Sequence, residues 1–176
     1  MNHNELISFY EKRRSNYAAQ LISINKKIYL ISNLRLATAL ASLVFIYFTF
    51  TNASFFYVAL PLLVTFALLV RRHSKLFSEK IHLENLITIH KHELQGLTGD
   101  ISCFMNGSEF LDLHHPYTHD LDIFGDGSLF QSVNRCNTLQ GKKELANRLS
   151  RPLGSADEIR TNQNAIQELA GKTDFR

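Results

Sequence analysis

The chain has 176 residues, 45% of them hydrophobic and 20% charged, with a formal charge of +3. That length suits one ordinary domain, and no nucleic-acid surface is visible in so small a bulk charge. Cys103 and Cys136 fit no metal or redox spacing and read as reduced cytosolic thiols.

Residues 4–34 contain neither Gly nor Pro. Tyr10, Tyr17, Leu21, Ile24, Ile28 and Ile31 recur at heptad spacing, with Arg14 interrupting. The pattern predicts an amphipathic helix over 1–35 with an a/d-like seam, as in a coiled coil.

Residues 36–70 carry no charge. One helix of that length would run about 52 Å, well beyond a hydrocarbon core of about 30 Å. Two crossings with a turn at 51–54 fit better, giving a transmembrane helical hairpin. Neither crossing has a polar stripe, as a buried hairpin of a soluble protein would. The late start, the length and the second apolar run do not fit a signal peptide. Six basic residues against two acidic ones precede the block, for +4, and Arg71, Arg72, Lys75 and Lys80 follow it. Positive flanks stay cytoplasmic. Arg35, Arg71 and Arg72 therefore set the topology, with both termini in the cytoplasm and the chain a multi-pass protein of the cytoplasmic (inner) membrane. The aromatic residues from Tyr47 to Tyr57 crowd beside the turn, as at a membrane interface. Pro61 is tolerable in a membrane helix.

Leu76, Leu83, Ile87, Leu94 and Leu97 resume the heptad spacing over 71–99, with Lys80 and His90 as polar interruptions. A membrane hairpin forces the two amphipathic helices together, predicting an antiparallel cytosolic pair continuous with the crossings. Packing of either seam on another domain or another subunit is the competing arrangement, and the latter leaves a homodimer open. Gly96, Gly99 and Asp100 end the second helix, and 100–119 reads as a linker with one short helical turn.

From Asp120 the texture changes. Leu121, Ile123 and Phe124 suggest a brief extended segment, and 128–135 a short helix. Thr138 is an N-cap for a helix to about Leu149, ended by Pro152. Ser155 followed by Glu158 is a capping box for a helix to about Ala170, stopped by Gly171. Its Ile159, Ile166 and Leu169 share one face.

No motif reads as catalytic. His114, His115, His119, Asp120 and Asp122 crowd together, but without an HExxH helix or a Cys pair they read better as a hydrogen-bonded linker than as a metal site. The calcium-loop pattern starting at Asp120 fails at Phe124 and Gln131. Gly125-Asp126-Gly127 is no dinucleotide fingerprint, and no GxxxxGK[ST] loop exists. The fold expected is mainly α.

The segment 120–171 carries an ordered pattern: Gly127, Ser128, Leu129, Phe130, then Asn134, Arg135, Thr138 and Gly141, then Pro152 and Leu153, then Ile159, Gln163, Ala165, Ile166, Glu168 and Leu169. It resembles the opening of the core domain of MutS-family mismatch-repair ATPases, with Asn162 where that family usually has Arg. The resemblance makes 120–176 the start of a helical core domain, and its structural residues Gly127, Phe130, Asn134, Arg135, Thr138, Gly141, Pro152 and Gln163. The front half departs from ordinary MutS. Phe9-Tyr10-Glu11 and Phe77-Ser78-Glu79 match the Phe-x-Glu wedge literally, but they lie on predicted helices beside the membrane. The arrangement resembles a membrane-anchored branch in which a helical hairpin replaces the reading and connector domains. The resemblance implies the anchoring N-terminal portion of a DNA-binding ATPase of repair or recombination. Its partners are the lipid bilayer and, through downstream domains, DNA. No cofactor is expected in this chain, since ATP and Mg²⁺ belong to the ATPase module. The chain stops at Phe175-Arg176, before levers, clamp or ATPase, and is expected to be an N-terminal fragment or an incomplete gene product. A membrane-bound coiled-coil scaffold without a nucleic-acid role is the alternative.

Overall fold

A computed structural model of the chain describes residues 2–50, 52–151, 153–170 and 172. Thr51 of the expected turn and the expected helix stops Pro152 and Gly171 lie outside them. The chain is mainly α, without a strand among the described residues, and divides into two compact units, Met1–Thr98 and Gly99–Arg176.

The first unit is a pair of long helices, α1 (His3–Thr49) and α2 (Phe56–Leu97), packed against each other. At about 1.5 Å per residue they run about 70 and 63 Å. Asn2 starts α1 with a capping box, its own N–H donating to the Glu5 carboxylate at 2.8 Å. At the far end Asn52 Oδ1 accepts from the Ser54 N–H at 3.0 Å and turns the chain into a short 3₁₀ segment, Ala53–Phe55. The Phe55 ring meets those of Phe45 and Phe48 across the turn. Hydroxyls in the apolar block are tied to their own helix. Thr38 donates to Arg35 O, Ser42 to Ala39 O, Thr49 to Phe45 O and Thr65 to Pro61 O. Such back-bonding leaves them little need of water. Ser42 and Ala59 are buried, and small side chains let two helix backbones come close.

Away from the turn, the stripe 76–83–90 forms the buried seam of α2. Leu76 and Leu83 fill it as the heptad spacing requires. His90, a polar interruption in the sequence pattern, lies in the seam itself because it falls seven residues after Leu83. It is 6% exposed, with its ring edge-to-face with Tyr10 and Tyr17 at centroid distances of 5.6 and 5.4 Å. Nδ1–H donates to the Leu86 carbonyl at 2.8 Å, while Nε2 is buried without a partner. Lys80, the other interruption, stays at the edge and pairs with Glu84 at 3.7 Å.

The second unit contains α3 (Leu129–Val133), α4 (Leu139–Ser150) and α5 (Ala156–Ala170). Its core is Ile123, Phe124, Phe130 and Ala146, with Phe110, Leu145 and Leu149 packed on it. The expected extended segment at 121–124 is a turn instead. Ile123 and Phe124 are consecutive and both buried, whereas a strand sends successive side chains to opposite faces. Asp122 beside them has φ 47°. Residues 100–119, read from the sequence as a linker, lie inside the second unit and pack into it. Gly107 and Thr118 are buried, and the Phe110 ring lies 5.7 Å from that of Phe130. At the start of this stretch Asp100 Oδ1 accepts from the Ser102 hydroxyl and N–H, which lowers its pKa below the usual carboxylate value.

The facing seams predict crosslinking within one chain. With Cys103 and Cys136 replaced by Ser, the pair Ile31→Cys and Leu76→Cys should form an intramolecular disulfide on mild oxidation. Non-reducing gels that show only dimers would place the seams between subunits instead.

Candidate functional site

In the second unit the motif residues build a scaffold around three consecutive carbonyls. Phe104 O accepts from Gln131 Nε2 at 2.9 Å, and Met105 O from Asn134 Nδ2 at 3.2 Å. Asn106 O accepts from the Gly125 N–H at 2.9 Å and lies 3.4 Å from the Ser128 hydroxyl. Gln131 and Asn134 are buried because they satisfy backbone groups that would otherwise be orphaned. Each has a second task. Gln131 Oε1 accepts from the Gly127 N–H at 2.7 Å, and Asn134 Oδ1 from the Cys136 N–H at 2.9 Å. Gly127 sits at φ 73°, in the left-handed region. Ser128 then caps α3, accepting from the Gln131 N–H at 3.2 Å. The Arg135 guanidinium lies 3.6 Å over the Phe104 ring.

Phe130 is fully buried at the centre of this arrangement. It packs so close to Gly107 that a Cβ there would come within 2.6 Å of the ring, and Gly107 also has φ +69°. Glycine at 107 is thus required twice, by conformation and by space. Thr138 caps α4, its Oγ1 accepting from the Gly141 N–H at 3.1 Å.

The other end of α4 is held by the histidine-rich segment. His115 Nδ1 accepts from the N–H groups of Tyr117 and Thr118 at 3.4 and 3.3 Å, so its proton is on Nε2, which faces Ser150 O at 3.1 Å. The Tyr117 hydroxyl donates to Leu149 O at 3.3 Å. Two of the carbonyls a helix leaves open at its C-terminus are satisfied this way. Among the described residues no group of three or more His, Cys, Asp or Glu could hold a metal ion.

Gly127, Phe130, Asn134 and Arg135 are therefore brought together, with Thr138 and Gly141 at the start of the next helix. Gln163 stands apart, exposed on α5. Ser155 Oγ accepts from the Glu158 N–H at 3.2 Å, but the Glu158 carboxylate reaches Gly154 N rather than Ser155 N. Asn162 accepts from Arg148 Nη1 at 2.7 Å, linking α5 to α4. Ile159, Ile166 and Leu169 on α5 are all exposed. The sequence reading missed Gln131, Gly107 and the carbonyls at 104–106, and only the glycine was a visible signal.

In the first unit, both helices are long and apolar enough to cross a membrane. In each, only 6% of the most apolar window is buried. Arg71 and Arg72 are exposed and Arg35 is half-buried at the edge of the block.

Residues 111–176 match the family model of MutS domain III. The match supports a MutS-like DNA mismatch-repair relation and begins before the expected core boundary, taking in the His115–Tyr117 clamp. No curated protein and no solved structure matches the chain.

Replacing Gly107 with Ala should destabilise the second unit by roughly 2–4 kcal/mol through left-handed strain and overpacking. Gly99→Ala, with φ +92° but nothing within 4 Å of the added methyl, should cost less. Hydrogen exchange at residues 104–134 reads the difference, and equal protection in the two variants would refute it. Thr138→Ala should cost about 1 kcal/mol through the lost cap, read as faster exchange at the start of α4.

Proposed function

We propose that residues 1–98 anchor a MutS-like core to the cytoplasmic face of a membrane, as the N-terminal part of a DNA-binding ATPase of repair or recombination. The observation that carries this reading is one chain joining a MutS domain III match at 111–176 to a hairpin whose apolar windows stay uncovered. Exposing one large aliphatic side chain to water forgoes about 1.5–3 kcal/mol. Leu36, Leu40, Leu43, Leu60 and Leu68 are only some of those exposed. An apolar surface of this extent marks a contact with membrane or protein. The absence of charge over 36–70, with arginines at both ends, favours the bilayer. The same rule keeps both termini cytoplasmic. A coiled-coil scaffold without a nucleic-acid role would leave the MutS domain III match without a reason.

DNA contact and ATP hydrolysis are assigned to segments other than residues 1–176. The second unit supplies a braced helical start for such a core, through the carbonyl network and the two ends of α4.

The chain should stay in the membrane pellet through carbonate extraction. Asn52→Cys should react with an impermeant thiol reagent from outside intact cells, while Cys103 and Cys136 react only after lysis. Release by carbonate, or labelling of the native cysteines in intact cells, would sink the anchoring reading. Purified in detergent, the chain should neither turn over ATP nor prefer mismatched DNA. A mismatch preference lost on Phe9→Ala would overturn the assignment of DNA reading elsewhere.

A further inference from the structure

At the charged end of the apolar block, α1 and α2 enclose a groove of about 380 Å³. Lys27, Arg72 and Lys75 line it, with Leu30, Ile31 and Leu76 as its apolar part. Glu79 is the one acidic residue of the lining, leaving a formal charge of +2. None of the three cations makes a hydrogen bond or ion pair among the described residues, although Glu79 shares the groove. Elsewhere on α2, Lys80 does pair with Glu84. Three cations held near one another against a single carboxylate leave a net repulsion, and an anion between them would relieve that.

The depth of the groove says which anion. From Leu36 to Phe50 the first crossing has 15 residues, about 22 Å of helix. A hydrocarbon core of about 30 Å therefore reaches beyond Arg35, Arg71 and Arg72, whose long side chains can extend to the headgroups. On α1 the surface there remains apolar, with Tyr29, Leu30 and Leu34 exposed. The groove then falls at the level of the headgroups of the inner leaflet. Basic pockets between membrane helices on that side suit anionic headgroups.

We propose that this groove binds the phosphate of an anionic phospholipid of the cytoplasmic leaflet through Lys27, Arg72 and Lys75, with the lipid's apolar part against Leu30, Ile31 and Leu76. The proposal rests on the membrane reading above. A bound lipid would join α1 to α2 where the apolar block gives way to the cytosolic seams.

The test uses the full chain reconstituted in phosphatidylcholine nanodiscs with a minor fraction of phosphatidylglycerol, with retained lipid counted by native mass spectrometry. The wild-type chain should enrich phosphatidylglycerol. Lys27→Gln, Arg72→Gln and Lys75→Gln should each reduce the enrichment about fivefold, and Glu79→Gln should raise it. The control set Lys12→Gln, Arg14→Gln and Lys91→Gln makes the same change in charge far from the groove and should leave enrichment unchanged. An equal loss in both sets would overturn the groove in favour of bulk charge. Displacement of the lipid by inorganic phosphate at low concentration would overturn a lipid as the occupant. Carbonate extraction separates the two failures. Release of the wild-type chain sinks the membrane reading, whereas a carbonate-resistant chain that enriches no phosphatidylglycerol sinks the groove alone.

Discussion

Thirty-five consecutive residues without a charge cannot all be covered by two helices that touch along one side. The hairpin buries the small side chains of Ser42 and Ala59 between its helices and leaves the Leu, Val and Phe side chains largely outside. A soluble helical pair would do the reverse. The rest of the first unit depends on this constraint. Folding the block back on itself at Asn52 brings α1 alongside α2 over their whole lengths. The heptad stripes then have a partner, Leu76 and Leu83 are buried, and Lys27 meets Arg72 and Lys75 across one groove.

His90 shows the cost of that register. Its place seven residues beyond Leu83 puts an imidazole where the seam wants a hydrocarbon. The Tyr10 and Tyr17 rings enclose it, and the helix's own Leu86 carbonyl takes one nitrogen. The other nitrogen has no partner, and an unpaired buried polar atom costs about 1–3 kcal/mol. The seam is therefore less stable at its far end than an all-leucine stripe would be.

The second unit solves a different problem. It buries few large apolar side chains, and its three-phenylalanine cluster is supported by buried amides. Gln131 and Asn134 each bind a carbonyl of the 104–106 stretch with the nitrogen and a backbone N–H with the oxygen. Networks in which every group is paired fix one geometry, because any slip leaves a buried group unsatisfied. The MutS domain III match thus takes in residues, Gln131 and Asn134 among them, whose visible work is holding the chain.

The sequence by itself determined the helices, the hairpin and the local caps. Each depends on residues within a few positions of one another: the charge-free run, the heptad spacing, Thr138 over Gly141, Ser155 over Glu158. Only the tertiary structure decided that 100–119 belongs to the second unit, that 121–124 turns rather than extends, and that His90 is enclosed by tyrosines. The bonds that settle the first of these join residues far apart in the chain, 22 positions for Ser128 to Asn106 and 35 for His115 to Ser150. A local pattern carries no record of such partners. A glutamine or histidine reads as polar and exposed until the backbone group it must satisfy has been brought beside it.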